Sequence, residues 1–380
     1  MKLVFYSIVL NHHQACLADA FYRILGSDYC FVETAECHDN KGALEDYSKR
    51  PYLLQAWKSA ESYEQAMRLA LTADTCVFGG YEALPFEKAR LQKGMMSFDM
   101  SERWLKRGLL NILSPRVFKM LTAYKMGGWG KLPVYKLCMS AFAADDQHRL
   151  FTYREKCYKW GYFTDVEDIC TVEAPEQGVS TSETLHTLMW CARFLKLKHP
   201  ELPVKLAARL KTKGYNFVVD MYGSGRELEP TKALAKQLGV DDVVRFNGNK
   251  PNAEILEAMR HHEIFLFTSD KNEGWGAVAN ESMANGCALV ASDAIGSTPY
   301  LVKDGCNGFR FKSCDVVSLA EKVEWLLDHY DECQQMRHNA YLVMKNVWSP
   351  SVAAKNLLNL IDNLQHGRDT AIKEGPCSKA

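Results

Sequence analysis

The sequence predicts an α/β protein of two doubly wound parallel-sheet domains, and three observations carry that expectation. At 380 residues the chain is longer than one hydrophobic core usually supports. Short β-branched and aromatic runs alternate with amphipathic helical stretches over most of it. The alternation stops in the acidic, turn-rich stretch TDVEDICTVEAPEQGVST, which begins at Thr164 and reads as a connection between domains.

In the first half the strands are expected at residues 2–10, 30–33, 75–78, 95–98, 135–140 and 157–161, with Gly79 and Gly80 closing the third. Residues 15–25 and 62–71 have helical apolar spacing. After the connection a second unit repeats the alternation, with strands at 185–192, 215–222, 243–246, 264–268 and 288–291. Helices at 318–329 and 333–344 end near Trp348, Ser349 and Pro350, where proline prevents simple continuation. The expected division is a first domain at 1–165, a linker at 166–182, a second domain at 183–348, a terminal helix at 349–366 returning to the first domain, and a flexible polar tail at 367–380.

Composition narrows the function. Lys+Arg and Asp+Glu are equal at 46 each, which argues against wholesale nucleic-acid binding. The 13 cysteines are scattered without paired clusters, so they read as thiols of a reducing compartment and not as a zinc site. The opening apolar run is broken by Asn11, His12 and His13 and suits a strand better than a signal peptide, so a cytoplasmic location is expected.

The chemistry concentrates in SDKNEGWGAVANESMANGCALVAS, which begins at Ser269 where an expected strand ends, the edge at which open α/β sheets bind ligands. Gly274 and Gly276 leave little bulk around the start of a helix near Ala277, so backbone amides there can approach a diphosphate. Two carboxylates beside an anion site suit sugar hydroxyls, which assigns Glu281 to a ribose diol and Glu273 to a second sugar. Taken alone, either is also an ordinary helix-start carboxylate.

The spacing in EGWGAVANE resembles the glutamate signature of retaining glycosyltransferases of the GT-B fold, especially glycosyltransferase family 4. MYGSG at 221–225, VVRFNGN at 243–249, FLFTS, NGCALVAS and VKDGCNGF at 302–309 resemble successive blocks of that family's donor domain. The resemblance implies two Rossmann-like domains facing a cleft, with a nucleotide-sugar donor on the second. Arg193 and Lys198 are similar to the family's cation pair that clasps the donor diphosphate, so that no metal and no other cofactor is expected. Gly223, Asn249, Gly274, Trp275, Gly276, Ala277 and Glu281 would line the donor. His12 and His13, which stand where the family often has glycines, are read as acceptor or sugar contacts or as strand-end polar residues.

From Arg103 to Ala144 there is no acidic residue. Arg103, Lys106, Arg107, Arg116, Lys119, Lys125, Lys131 and Lys136 lie among Trp104, Leu109, Leu110, Ile112, Phe118, Met120, Trp129 and Tyr135. Such a mixture suits an anionic bilayer surface, or alternatively a half-buried helix pair with solvated charges. SERWLKRG and CYKWGYF resemble blocks of bacterial capsule and O-antigen transferases, which tilts the acceptor toward a lipid-linked saccharide. The expected activity is therefore transfer of a hexose-type sugar from an NDP-sugar, with UDP favoured. The alternatives are a nucleotide-sugar 2-epimerase and a non-catalytic nucleotide-sugar binding protein.

Overall fold

The computed structural model describes residues 1–36, 47–167 and 185–380, so most of the expected linker lies outside the described residues. Two compact units divide the chain: residues 1–164 with 348–380, and residues 165–347.

The first unit carries seven strands: β1 (Leu3–Ser7), β2 (Tyr29–Glu33), β3 (Leu53–Gln55), β4 (Thr75–Gly79), β5 (Ser97–Ser101), β6 (Val134–Cys138) and β7 (Cys157–Lys159). Its helices are α1 (His12–Leu25), α2 (Ala60–Thr72), α3 (Leu84–Gln92), α4 (Pro115–Met126) and α5 (Ala143–Arg149). All neighbouring strands are parallel, in the order β3-β2-β1-β4-β5-β6-β7. Every residue of β1 and β4 is buried, because helices cover both faces of the sheet; this is why these strands read as continuous apolar runs instead of alternating ones.

The second unit begins with β8 (His186–Cys191), α6 (Glu201–Thr212), β9 (Phe217–Tyr222), α7 (Leu228–Gln237), β10 (Val244–Gly248) and α8 (Asn252–Arg260). It continues through β11 (Ile264–Phe267), α9 (Val278–Ala284), β12 (Ala288–Ser292), α10 (Thr298–Leu301), β13 (Gly308–Phe311), α11 (Val316–Asp328) and α12 (Tyr330–Asn346). The sheet order β10-β9-β8-β11-β12-β13 is that of a doubly wound fold whose winding reverses between β8 and β11. Leu188, Trp190, Val219, Leu266 and Val290 form the centre of its core with Leu206 and Leu210 of α6.

After the second unit the chain enters α13 (Pro350–Gln365), which packs on α1 and belongs to the first unit. Ser349 caps it by accepting from the Val352 amide, and Pro350 occupies the first helical turn where no amide donor is needed.

Two expectations are corrected. The carboxy-terminal residues are not frayed: Cys377 N donates to Lys159 O (2.8 Å), Lys159 N to Ser378 O (2.8 Å) and Ala380 N to Cys157 O (3.2 Å). The edge strand β7 offers unpaired backbone groups and the tail satisfies them, with Cys377 fully buried. The basic segment is also not one uniform surface. Lys136 is wholly buried on β6, 2.9 Å from Asp99 on β5, and its ammonium lies over the Trp104 ring. A lysine that deep must be paired, and the partner sits on the adjacent strand. Trp104 and Trp129 are core residues, and Arg103 holds Asp146 at 2.9 Å.

Candidate functional site

In each sheet the chain reverses its winding beside the first strand, and the loops leaving the carboxyl ends at that point splay apart to leave a crevice. In the second unit these loops follow β8 and β11. They carry Arg193 and Lys198 on one side and Glu273 with Gly274 to Gly276 on the other.

The structure brings Lys198 and Glu273 into a direct ion pair, each side chain about one-seventh exposed (13% and 14%). Ser269 Oγ donates to the same carboxylate oxygen at 3.1 Å. The backbone beneath is fastened from the strands: Trp190 Nε1 donates to Thr268 Oγ1 (2.9 Å), and Thr268 Oγ1 donates to the Lys198 carbonyl (2.7 Å). Asp270 N donates to Leu197 O at 2.9 Å, closing the two loops on each other. Nothing in the sequence singles out Thr268, Ser269 or Asp270: Thr268 closes an expected strand, and Ser269 and Asp270 open the polar run after it.

Arg193 lies on the same loop, exposed and without an ion-pair partner among the described residues. Gly223 fits under this loop: with φ at 124°, a Cβ there would stand 2.0 Å from the Ala192 carbonyl oxygen. Only glycine tolerates both that backbone and that approach. Gly276 is held similarly, at φ 78°, with Phe267 filling the space a side chain would need. Asn249 is exposed just beyond β10, two strands from β8 and so roughly 10 Å across the sheet.

Glu281 sits in the first turn of α9 and is 8% exposed; burial pushes its carboxyl up to about 7. It lies within electrostatic range of Cys191 at the end of β8, whose thiol is raised first by burial and then by Glu281, with Lys198 opposing. Lys198, Glu273 and Glu281 therefore share one neighbourhood.

Two residues of the expected donor lining differ from that reading. The Trp275 side chain is fully buried, its Nε1 donating to Asn280 Oδ1 at 2.7 Å, while its carbonyl accepts from Ser297 Oγ at 2.6 Å. Its indole is core, so any contact at this position is through backbone. Ala277 is the residue before a helix of only seven residues, which sums few peptide dipoles. Attraction for an anion here rests on Lys198 and Arg193 more than on the helix end.

In the first unit the equivalent position is the loop after β1. His12 and His13 open α1 with their rings 3.7 Å apart, and Tyr162 lies 5.6 Å from His13. Burial, followed by the neighbouring His12, lowers His13 to about 3, so its imidazole is neutral. Gln14 Nε2 donates to Ser7 Oγ (3.0 Å), and both His13 and Gln14 line an apolar pocket with Met100, Met139 and Trp160.

The chain resembles known proteins in sequence and in fold. Residues 176–343 match the family model described as glycosyl transferases group 1. The chain is 32% identical over 152 residues to the D-inositol 3-phosphate glycosyltransferase of Corynebacterium aurimucosum, covering 38% of this chain and 36% of that protein. It thus spans about a third of the length of that relative. Its fold is similar to the Anabaena Alr3699/HepE crystal structure in complex with UDP, with a TM-score of 0.71 at 15% identity over 96% of this chain and 100% of that one. The lipopolysaccharide outer core galactosyltransferase WaaB, in its apo form, gives 0.70 at 13% identity over 94% and 98%. At such identities the likeness establishes the fold: two Rossmann-like parallel-sheet units, the α/β arrangement of GT-B proteins. No helix among the described residues is long and apolar enough to cross a membrane.

Proposed function

We propose that this chain is a glycosyltransferase that moves a hexose-type sugar from a UDP-sugar, held by the second unit, to a saccharide acceptor held by the first. The observation that carries the reading is the Lys198–Glu273 pair at the winding reversal of the second sheet, with Arg193, exposed and without an ion-pair partner among the described residues, on the same loop. An ammonium largely shielded from water and an exposed guanidinium can neutralise a pyrophosphate whose charge grows as the glycosidic bond breaks. Fixed cations of this kind do the work of a divalent ion, so transfer is expected to proceed in chelator.

Without donor, Lys198 and Glu273 neutralise each other. A donor phosphate entering beside Lys198 competes for the ammonium and releases Glu273 to accept from a sugar hydroxyl, while Glu281 accepts from the ribose. The reaction follows the retaining course of family 4 in this reading: the acceptor oxygen attacks the anomeric carbon on the face the phosphate leaves, and the departing phosphate oxygen takes the acceptor proton. The neutral His13 with its apolar pocket suits an uncharged sugar. The HepE structure, described with UDP, supports UDP as the nucleotide.

The acceptor is placed among lipid-linked saccharides of surface-polysaccharide synthesis, at the cytoplasmic face of a membrane. Support comes from the first unit, where Leu109, Leu110, Leu113, Phe118 and Met126 are exposed beside Arg107, Arg116, Lys119 and Lys125. Apolar side chains that can enter a bilayer, ringed by cations, suit an anionic lipid surface. Liposome flotation tests it: recovery in the top fraction should rise with anionic lipid, and equal recovery with and without it counts against the basic patch.

The activity is tested with Glu273→Ala. Turnover should fall far more than UDP affinity, because the partner of Glu273 is the sugar and not the nucleotide. Unchanged transfer would take Glu273 out of the site. Donor conversion to an epimer with no acceptor present would favour the epimerase.

A further inference from the structure

Cys314 and His199 form a second reactive cluster in the second unit, distinct from the groups assigned to the donor. Cys314 follows β13, exposed, with φ at 62°, and its Sγ lies 3.4 Å from His199 Nε2. Glu201 Oε1 is 2.8 Å from His199 Nδ1, and Asp270 Oδ2 is 3.4 Å from Nε2. The hydrogen bond that the imidazole donates to Glu201 raises it above its ordinary value, burial opposes, and Asp270 adds to the rise. Glu201 holds the ring at Nδ1, while Asp270 and the Cys314 thiol both approach Nε2; an imidazole oriented by a carboxylate and within reach of a thiol is the arrangement that turns a cysteine into a nucleophile. Cys306 is also exposed, yet its sulfur has no hydrogen-bond partner among the described residues.

The cluster also has a mechanical connection. His199 directly follows Lys198, and Thr268 Oγ1 donates to the carbonyls of both, at 2.7 and 3.3 Å. A displacement of the His199 ring therefore acts on the backbone that presents Lys198.

We propose that Cys314 with His199 is a modification site that undergoes exchange with small disulfides, and that the resulting mixed disulfide shifts the Lys198 loop. The Cys314 thiolate attacks one sulfur of the small disulfide, a new S–S bond forms as the old one breaks, and the departing thiolate takes its proton from the imidazolium. The disulfide is transferred and no further oxidant is consumed.

The test uses the full chain with oxidised glutathione and follows the Cys314 and Cys306 peptides by mass spectrometry. Cys314 should be modified about tenfold faster than Cys306. The ratio should fall to about one in His199→Gln and take an intermediate value in Glu201→Gln, which leaves the imidazole in place. Equal rates in the unsubstituted protein, or a ratio untouched by both variants, overturns the site. The coupling to Lys198 rests on the donor reading and is measured separately, as UDP affinity by calorimetry. Modified protein should bind UDP about tenfold more weakly and recover in dithiothreitol, with Cys314→Ser insensitive throughout. Fast modification with unchanged UDP affinity overturns the coupling. A protein that binds no UDP even when reduced overturns the donor reading and leaves the thiol result standing.

Discussion

The two sheets share a winding order, yet the loops at their reversal points hold opposite chemistry. In the first unit the loop after β1 presents a pair of histidines, one of them neutral through burial, over an apolar pocket. In the second, the loops after β8 and β11 and the first turn of α9 present an ammonium, a guanidinium and two carboxyl groups. Identical topology thus places a site without deciding what it binds; side-chain charge decides that. The charged reversal suits an anionic ligand and the neutral one an uncharged ligand.

The most forceful way to break the comparison is Lys198→Ala. If the second reversal point stabilises a leaving pyrophosphate, kcat should fall roughly 10²–10³-fold, as for loss of one preorganised charge-stabilising group. Lys198→Arg should restore part of the rate by returning the charge. An ordinary kcat in Lys198→Ala would end the assignment.

Stability against pH separates the regions in sign. Glu281 is raised from 4.5 to about 7 by burial, so its contribution is present below pH 4.5 and is lost as pH rises through 7. At pH 8 the ionised, buried carboxylate costs roughly 3 kcal/mol, and Glu281→Gln should recover much of this while behaving like the parent at pH 4. His13 is lowered from 6.5 to about 3, so its contribution is present above pH 6.5 and is lost as pH falls. By pH 5 that loss is roughly 2 kcal/mol, and His13→Gln should flatten the acid side alone. Urea denaturation at pH 5 and 8 reads both. A parent whose stability is flat over that range, with neither variant changing it, removes the contrast.

The sequence revealed the architecture where the physics is local. Runs such as LVFYS and ALVAS are apolar up to a closing serine because both faces of their strands are covered, and they stand out in one dimension. Strand β3 is only LLQ, too short to show a period, and exists because it pairs with β2. The site was legible where residues close in sequence act together, as in the segment holding Glu273 and Glu281. It was illegible where burial is decided by distant partners. Trp275 stands among flexible glycines in the same signature, but Asn280 and Ser297 draw it into the core. Lys136 reads as one more cation of a basic run, but Asp99 takes it into the interior. The tail reads as polar and loose because the edge of β7 that receives it is not adjacent to it in sequence.

The smallest expected effect sharpens the comparison within the second unit. Arg193 and Lys198 share a loop, but Lys198 is engaged with Glu273 whereas Arg193 is exposed and without an ion partner among the described residues. Replacing Arg193 therefore leaves no carboxylate stranded, and the melting temperature should not move. Its whole contribution should appear on ligand: Arg193→Ala should weaken UDP binding about tenfold and Arg193→Lys only about threefold, since the charge survives and the two-pronged geometry is lost. Because an exposed cation is screened, the difference between parent and Arg193→Ala should shrink from low salt to 0.5 M sodium chloride, where the screening length is roughly 4 Å. Calorimetric titration at the two salt concentrations measures this, and an Arg193→Ala penalty that is absent at low salt would show that the guanidinium does not meet the diphosphate.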